Sequence, residues 1–258
     1  MKGYAAYSFL LHINVFFRGG LMFKTALIFS VLFSVIAAQE QSATAGNSYG
    51  DDVAIARGIL DNCGLKELTI TDVATIEEGR VVSLNLNNKD ISKDGFDKLP
   101  PEIGQLTALR SLSFKGNIVE ALPPEIGNLV MLEKLDANSN RISALPAEIG
   151  KLENLRDLDL RYNRLETLPV EIGELKNLEI LRLWVNRLTY LPTAIAKLTS
   201  LKELYLKDNR LTTLPIEITS MKLEYIDLIG NKLCKLDPKI EAWMIKLDKR
   251  YKETQKCW

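Results

Sequence analysis

The sequence predicts an α/β solenoid, a stack of short parallel strands joined by helical turns. Three observations carry that expectation. Six asparagines, Asn117, Asn140, Asn163, Asn186, Asn209 and Asn231, are separated by 23, 23, 23, 23 and 22 residues. Each lies in one frame, Leu-x-x-Leu-x-Leu-x-x-Asn-x-Leu, of which Leu155 to Leu165 is a clean copy. Between copies runs Leu-Pro-x-Glu-Ile-Gly-x-Leu, at residues 99–106, 122–129, 145–152 and 168–175. In a solenoid each repeat buries its apolar side only against its neighbours, so the stack stands or falls as a series.

Taken in order, the elements are as follows. Met22-Phe-Lys24-Thr opens a short basic region, Ala26 to Ile36 is apolar apart from Ser30 and Ser34, and Ala37-Ala38-Gln39 has the small residues of a cleavage site. Residues 1–38 therefore read as a leader with the form of a secretory signal peptide, with Met22 as an alternative start. Its apolar run is shorter than the ~20 residues of a membrane-spanning helix. Residues 39–50 are small and polar, the composition of a flexible linker. In 51–80, an N-terminal cap, Asp51 or Asp52 caps a helix that buries Val53, Ala56, Ile59 and Leu60 and stops at Gly64. Leu68 to Ile70 and Val73 to Ile76 follow as strand pieces, and Glu77 to Arg80 turn the chain into Val81. Repeats, about seven, occupy 81–236; the first has Lys89 in place of the asparagine and extra residues before the next copy. At 237–258 a capping helix is expected, with Ile240, Trp243, Met244 and Leu247 at helical spacing.

Within one repeat the alternation of Leu-x-Leu points leucines into the core and the intervening side chains outward. The chain must bend at the end of each strand, which leaves backbone groups unpaired inside. Asparagine carries both a donor and an acceptor. A ladder of asparagines would satisfy those groups, each of which costs ~1–3 kcal/mol when buried alone. The six asparagines are accordingly assigned to structure.

Composition limits the chemistry. Formal net charge is +0, and bulk charge suggests neither a nucleic-acid partner nor an anionic membrane. The only histidine is His12, inside the leader. Ser-His-Asp and Cys-His catalysis and histidine-containing zinc sites are thus unsupported downstream of it. Three scattered cysteines cannot form a four-cysteine metal site, and no glycine-rich phosphate loop is present. Glu102, Glu125, Glu148 and Glu171 form a column, but at the start of each helical turn, where acid is favoured for structural reasons. The expectation is a protein that is not an enzyme, with no cofactor and no metal.

The outward strand positions are the ones that stacking leaves free. The first column runs Ser83, Ser111, Lys134, Asp157, Ile180, Glu203, Tyr225; the second Asn85, Ser113, Asp136, Asp159, Arg182, Tyr205, Asp227; the third Asn87, Lys115, Asn138, Arg161, Trp184, Lys207, Ile229. The first half is small and polar. The second half gathers Asp159, Arg161, Ile180, Arg182, Trp184, Tyr205, Tyr225 and Ile229. Aromatics with arginine on an exposed face have the composition of a binding hot spot, and these eight residues are the candidate partner-binding site. Tyr162 and Val185, at the strand ends, would extend it.

These repeats resemble the leucine-rich repeat family. The Leu-Pro-x-Glu-Ile-Gly variant is similar to the 23-residue type of bacterial members and to plant intracellular Ras-group repeats, and the resemblance covers about residues 81–236. It implies a right-handed horseshoe with a parallel sheet on the concave side and a cap at each end. The segments Asp51 to Arg80 and Trp243 to Cys257 resemble the caps of secreted bacterial members. Most members are protein-binding scaffolds that use the concave sheet.

Cys234, in the last repeat, and Cys257 are candidates for a disulfide that pins the C-terminal cap in an oxidising compartment. Cys63 lies about six strand spacings away, roughly 30 Å, and is either a buried free thiol or a site of pairing between molecules. The function expected is a secreted or envelope-located module, a monomer, that binds a protein or peptide, with carbohydrate as a further ligand class. A structural or adhesive envelope protein is the alternative; a Ras-type scaffold in the cytoplasm would require that the leader is not a leader, and an N-terminal anchor would require that it is kept.

Overall fold

The first helix, α1, spans Tyr49–Asn62. Its stop is a left-handed residue, Gly64 (φ 72°), with the Leu65 N–H bonded to the Leu60 carbonyl at 2.8 Å and the Gly64 N–H to Asp61 at 3.1 Å. This is the Schellman pattern that glycine permits without steric cost. The computed structural model describes residues 49–88, 95–247 and 251–256. The leader expected at 1–38 and most of the 39–50 linker lie outside the described residues.

Two details of the N-terminal cap differ from the sequence expectation. Asp51 and Asp52 are not helix caps: α1 already includes Tyr49, so both lie in its first turn. Asp52 is fully buried, and its carboxylate accepts the Val81 N–H and the Arg80 Nε, each at 2.9 Å, which joins α1 to the start of the sheet. Nor is Leu68 to Ile70 a strand. Ile70–Val73 forms a single helical turn, α2, because the Asp72 carboxylate reaches back to the Thr69 N–H at 2.7 Å. Strand β1 (Ala74–Glu77) then pairs antiparallel with β2 (Arg80–Asn85). The two-residue turn has Glu78 at φ 48° and Gly79 at φ 78°, the pair of positive values that a tight hairpin needs.

From β2 onward every strand is parallel. The sheet has eight strands in sequence order, continuing with β3 (Ser111–Ser113), β4 (Lys134–Asp136), β5 (Asp157–Asp159), β6 (Ile180–Arg182), β7 (Glu203–Tyr205) and β8 (Tyr225–Asp227). The register pairs Ser83, Ser111, Lys134, Asp157, Ile180, Glu203 and Tyr225 in one row. Asn85, Ser113, Asp136, Asp159, Arg182, Tyr205 and Asp227 form a second row. The sheet is open, and strands on one side oppose five-residue 3-10 turns on the other, such as Ala147–Lys151 and Val170–Glu174. In the repeat that starts at Leu155, the side chains of Leu155, Leu158, Leu160, Leu165, Leu168, Ile172 and Leu175 are buried between the two layers.

The glycine of Leu-Pro-x-Glu-Ile-Gly is set by close approach between successive 3-10 turns. A Cβ at Gly127 would stand 2.8 Å from both the backbone oxygen and the Cβ of Glu148, and one at Gly150 2.6 Å from the oxygen of Glu171. Gly127→Ala is therefore expected to destabilise the stack by about 1–3 kcal/mol in a urea unfolding titration, since backbone must move to admit the methyl group.

Each ladder asparagine is buried and bonds at least three backbone groups. Asn163 donates from Nδ2 to the carbonyls of Ala137 (2.9 Å) and Leu160 (3.1 Å) and accepts the Ile142 N–H on Oδ1 at 2.9 Å. Asn186 and Asn209 repeat that set one and two turns further on. Asn140 and Asn231 do the same on either side. Asn117 bonds Leu86, Phe114 and Phe96. The residue just before each asparagine turns the chain inward with positive φ: Ser139, Tyr162, Val185 and Asp208 lie at 53–56°, and Gly116 and Gly230 fill the place in the second and last repeats.

At the C-terminus, α3 (Pro238–Leu247) packs against the 3-10 turn Ile216–Ser220, with Ile240 and Met244 buried. The single capping helix expected over 237–258 is only part of the cap. A second turn at Tyr251–Thr254 returns the chain to the sheet end, where the Gly230 N–H bonds Thr254 and the Lys256 N–H bonds Asn231. Gln255 then acts as a seventh rung: its Nε2 donates to the Leu228 carbonyl at 3.2 Å and its Oε1 accepts the Leu233 N–H at 3.3 Å.

Candidate functional site

The third outward row extends past the strands, because backbone bonds continue there: Tyr162 N–H to Trp184, Val185 N–H to Lys207 and Asp208 N–H to Ile229. On β5 to β8 the three rows bring six of the eight candidate residues into one connected stack. Asp159 is 5% exposed, and its carboxylate holds the guanidinium of Arg161 through Nε at 2.8 and 2.9 Å and through Nη2 at 2.6 Å. That hydrogen bond raises the Arg161 pKa above its ordinary value. The same guanidinium lies 5.0 Å over the ring of Trp184. Trp184 stacks on Tyr205 at 6.0 Å and 21°, and Tyr205 meets Tyr225 at 5.1 Å and 46°. Arg182 lies 5.9 Å over Tyr205 and is held by Asp157.

The remaining two candidates flank this stack. Ile180 is half-buried in the first row, and Ile229, 41% exposed, closes the third row on the last repeat. Tyr162 is exposed and Val185 half-buried, both with φ 54°. A β-branched residue rarely adopts that conformation, and the strain sits directly after Trp184. Val185→Asn, which tolerates positive φ, is expected to raise stability by about 1 kcal/mol, read as a higher urea midpoint.

Three groups that organise the stack were not among the residues singled out from the sequence: Asp157, Glu203 and Asp227. Asp157 fixes Arg182. Glu203 accepts the Tyr205 hydroxyl at 2.8 Å, and this carboxylate, with burial as the lesser cause, pushes the Tyr205 pKa up. The Asp227 carboxylate accepts the Ile229 N–H at 3.1 Å. Their rows were legible; the pairings depend on side-chain rotamers that no spacing reveals.

The Trp184 Nε1 is buried without an acceptor among the described residues. The indole therefore serves this face through its ring, not through its N–H. Among the described residues no group of three or more histidine, cysteine, aspartate or glutamate side chains is placed to hold a metal ion, and no helix is long and apolar enough to cross a membrane. Cys63 is a buried free thiol whose pKa is pushed up to about 12, by burial first and then by Asp97. Cys257 lies outside the described residues.

A family model described as a leucine-rich repeat region matches residues 147–241. Among solved structures the chain is similar to a leucine-rich repeat protein of Leptospira interrogans, at 34% identity, over 64% of this chain and 47% of that one, with a TM-score of 0.48. It is similar to a plant ice-binding protein at 24% identity, over 74% and 65%, with a TM-score of 0.61. A third similarity is to the plant peptide hormone receptor RGFR1 in complex with RGF2, at 28% identity, over 64% and 32%, with a TM-score of 0.53. The chain thus spans about half the length of the Leptospira protein and a third of the receptor. No curated protein sequence matches it.

Proposed function

Because the chain is a leucine-rich repeat protein, whose scaffold leaves the sheet face open, we propose that it is a non-enzymatic recognition module that binds a protein or peptide through the face of β5 to β8. The observation that carries this reading is the continuous stack Arg161–Trp184–Tyr205–Tyr225, with Tyr225 47% exposed at its end. Rigid aromatics braced by arginine lose little side-chain entropy on binding, which is why such groups dominate interface energetics. The similarity to a peptide hormone receptor supports the same class of partner.

Ring geometry favours protein over carbohydrate. β5 and β7 flank β6 on opposite sides, so Arg161 and Tyr205 cover opposite faces of Trp184. A sugar needs an open aromatic face to stack on; ring edges and the phenol of Tyr225 suit a polypeptide better. Capture of proteins from the organism's extracellular fraction on the immobilised chain, against the double variant Trp184→Ala/Tyr205→Ala, tests the reading. A partner held by the natural chain and lost from the variant supports it; a partner held equally by both overturns it.

The leader read at residues 1–38 supports export, and with it an oxidising environment in which Cys234 and Cys257 pair. The bond between the Lys256 N–H and the Asn231 carbonyl, 2.7 Å, brings the chain next to Cys257 alongside the last repeat. Peptide mapping without reductant is expected to recover residues 234 and 257 in one cross-linked fragment; two free thiols there would contradict both the pairing and the export that motivates it.

A further inference from the structure

We propose a second binding surface, a row of cations along one flank of the solenoid that takes an acidic polysaccharide. It lies apart from the protein-binding face and does not rest on that reading.

The row is set by the repeat. The residue that follows the ladder asparagine is Arg141, Arg164, Arg187, Arg210 and Lys232 in turn. Backbone bonds keep these positions in line. The N–H of Arg164 bonds the Ile142 carbonyl, that of Arg187 bonds Leu165, that of Arg210 bonds Leu188 and that of Lys232 bonds Leu211, each at 2.9 Å. Chains paired in this way lie ~4.8 Å apart, so the cations repeat at about that pitch. The next residue of each repeat is a buried leucine, Leu165, Leu188, Leu211 or Leu233. Alternation therefore sends the cation before it and the side chain after it to the same outer side. Thr189 and Thr212 occupy the position after the leucine, with Tyr190 and Thr213 following them, and all four are exposed.

Arg164, Arg187, Arg210 and Lys232 are exposed, and among the described residues none of them forms an ion pair or a side-chain hydrogen bond. Exposed cations elsewhere on the stack behave differently. Arg156 and Lys202 share Glu179, Lys197 takes Glu174, and Lys256 takes Asp208. On the flank itself, residues 164–167, 187–190, 210–213 and 232–235 hold five cations, with Lys235 the fifth, against one acid, Glu166. A chain with formal net charge +0 thus carries one strongly basic strip.

The form of the strip selects its ligand. A nucleic-acid duplex presents a charge every ~1.7 Å of its axis, more densely than a single row of cations can match. A polymer of acidic sugars carries a charge on each ring, at a pitch comparable to that of the row. The threonine hydroxyls beside the cations both donate and accept, as sugar hydroxyls require. Tyr190, 51% exposed, adds a phenol with an apolar ring and a polar tip.

Fluorescence anisotropy of labelled oligogalacturonates and chondroitin sulfate oligomers of increasing length, titrated with the full chain, tests this. Affinity is expected to rise with length until the oligomer spans the row, and to fall with added salt. Arg187→Gln/Arg210→Gln/Lys232→Gln should weaken binding about tenfold, three exposed ion pairs being lost. Lys66→Gln/Lys151→Gln/Lys222→Gln makes the same charge change away from the row and should leave affinity unchanged, with thermal melting of both variants verified against the natural chain. Equal losses in the two variants would overturn the row as a site and leave only bulk charge. Tighter binding of single-stranded oligonucleotides or of vesicles containing phosphatidylglycerol than of either sugar polymer would overturn the polysaccharide, as would no binding of either sugar polymer at low salt.

Discussion

Asn163→Leu is expected to destabilise the protein by about 3–6 kcal/mol, because one side chain satisfies three buried backbone groups and each costs ~1–3 kcal/mol when left alone. Leucine keeps the branching and heavy-atom count of asparagine but is bulkier, so some overpacking adds to the loss of polar partners. What is lost is the acceptor for Ile142 N–H and the donor to the carbonyls of Ala137 and Leu160. Two of those three groups belong to the preceding repeat, so the substitution uncouples neighbours and not just one turn. In a solenoid such a lesion opens the stack locally. Hydrogen exchange is the matching measurement: the Ile142 amide should lose most of its protection, while amides near α1 keep theirs. Gln255→Leu should cost less, since the bonds of that end rung to Leu228 and Leu233 are longer, 3.2 and 3.3 Å, and it lies at the end of the stack. A loss at Asn163 no larger than at Gln255 would contradict the ladder account.

Trp184→Ala carries the largest expected effect on binding. Truncation of a central aromatic at a protein interface costs 2 kcal/mol or more, about thirtyfold or greater in affinity. Here the effect is compounded, because Trp184 also supports Arg161 on one side and Tyr205 on the other. Trp184→Phe keeps a ring in the stack and removes an Nε1 that has no acceptor among the described residues. It is therefore expected to retain most of the affinity and to lose no stability. That split between Ala and Phe, measured by calorimetric titration with a captured partner, separates a ring-mediated contact from one made by the indole N–H.

Much of this is legible in the sequence. The 23-residue step fixes which side chains share a row, and the observed register of β3 to β7 follows it residue for residue. The Glu78-Gly79 turn was legible from its glycine. Other features were not, for physical reasons that differ. The α2 turn depends on a carboxylate, Asp72, folding back on Thr69, a local competition that a β-branched run disguises as strand. The Gln255 rung was missed because it lies outside the leucine frame, although its distance from Asn231, 24 residues, was a signal. The partners of Arg161 and Arg182 were hidden for another reason. One arginine takes a carboxylate from its own strand and the other from the neighbouring strand, a choice made by rotamers and not by spacing.

The central claim is that the sheet face of β5 to β8 holds the protein partner, with the rest of the solenoid as its scaffold. A scan of single substitutions at every exposed position, scored for binding to a captured partner with folding verified for each variant, tests it most directly. The account predicts that losses cluster at Arg161, Arg182, Trp184, Tyr205 and Tyr225, with none on the opposite face at Val130, Val170 or Ile216, which are also exposed and apolar. Losses that cluster on Val130, Val170 and Ile216 and spare Trp184 and Tyr205 would contradict it.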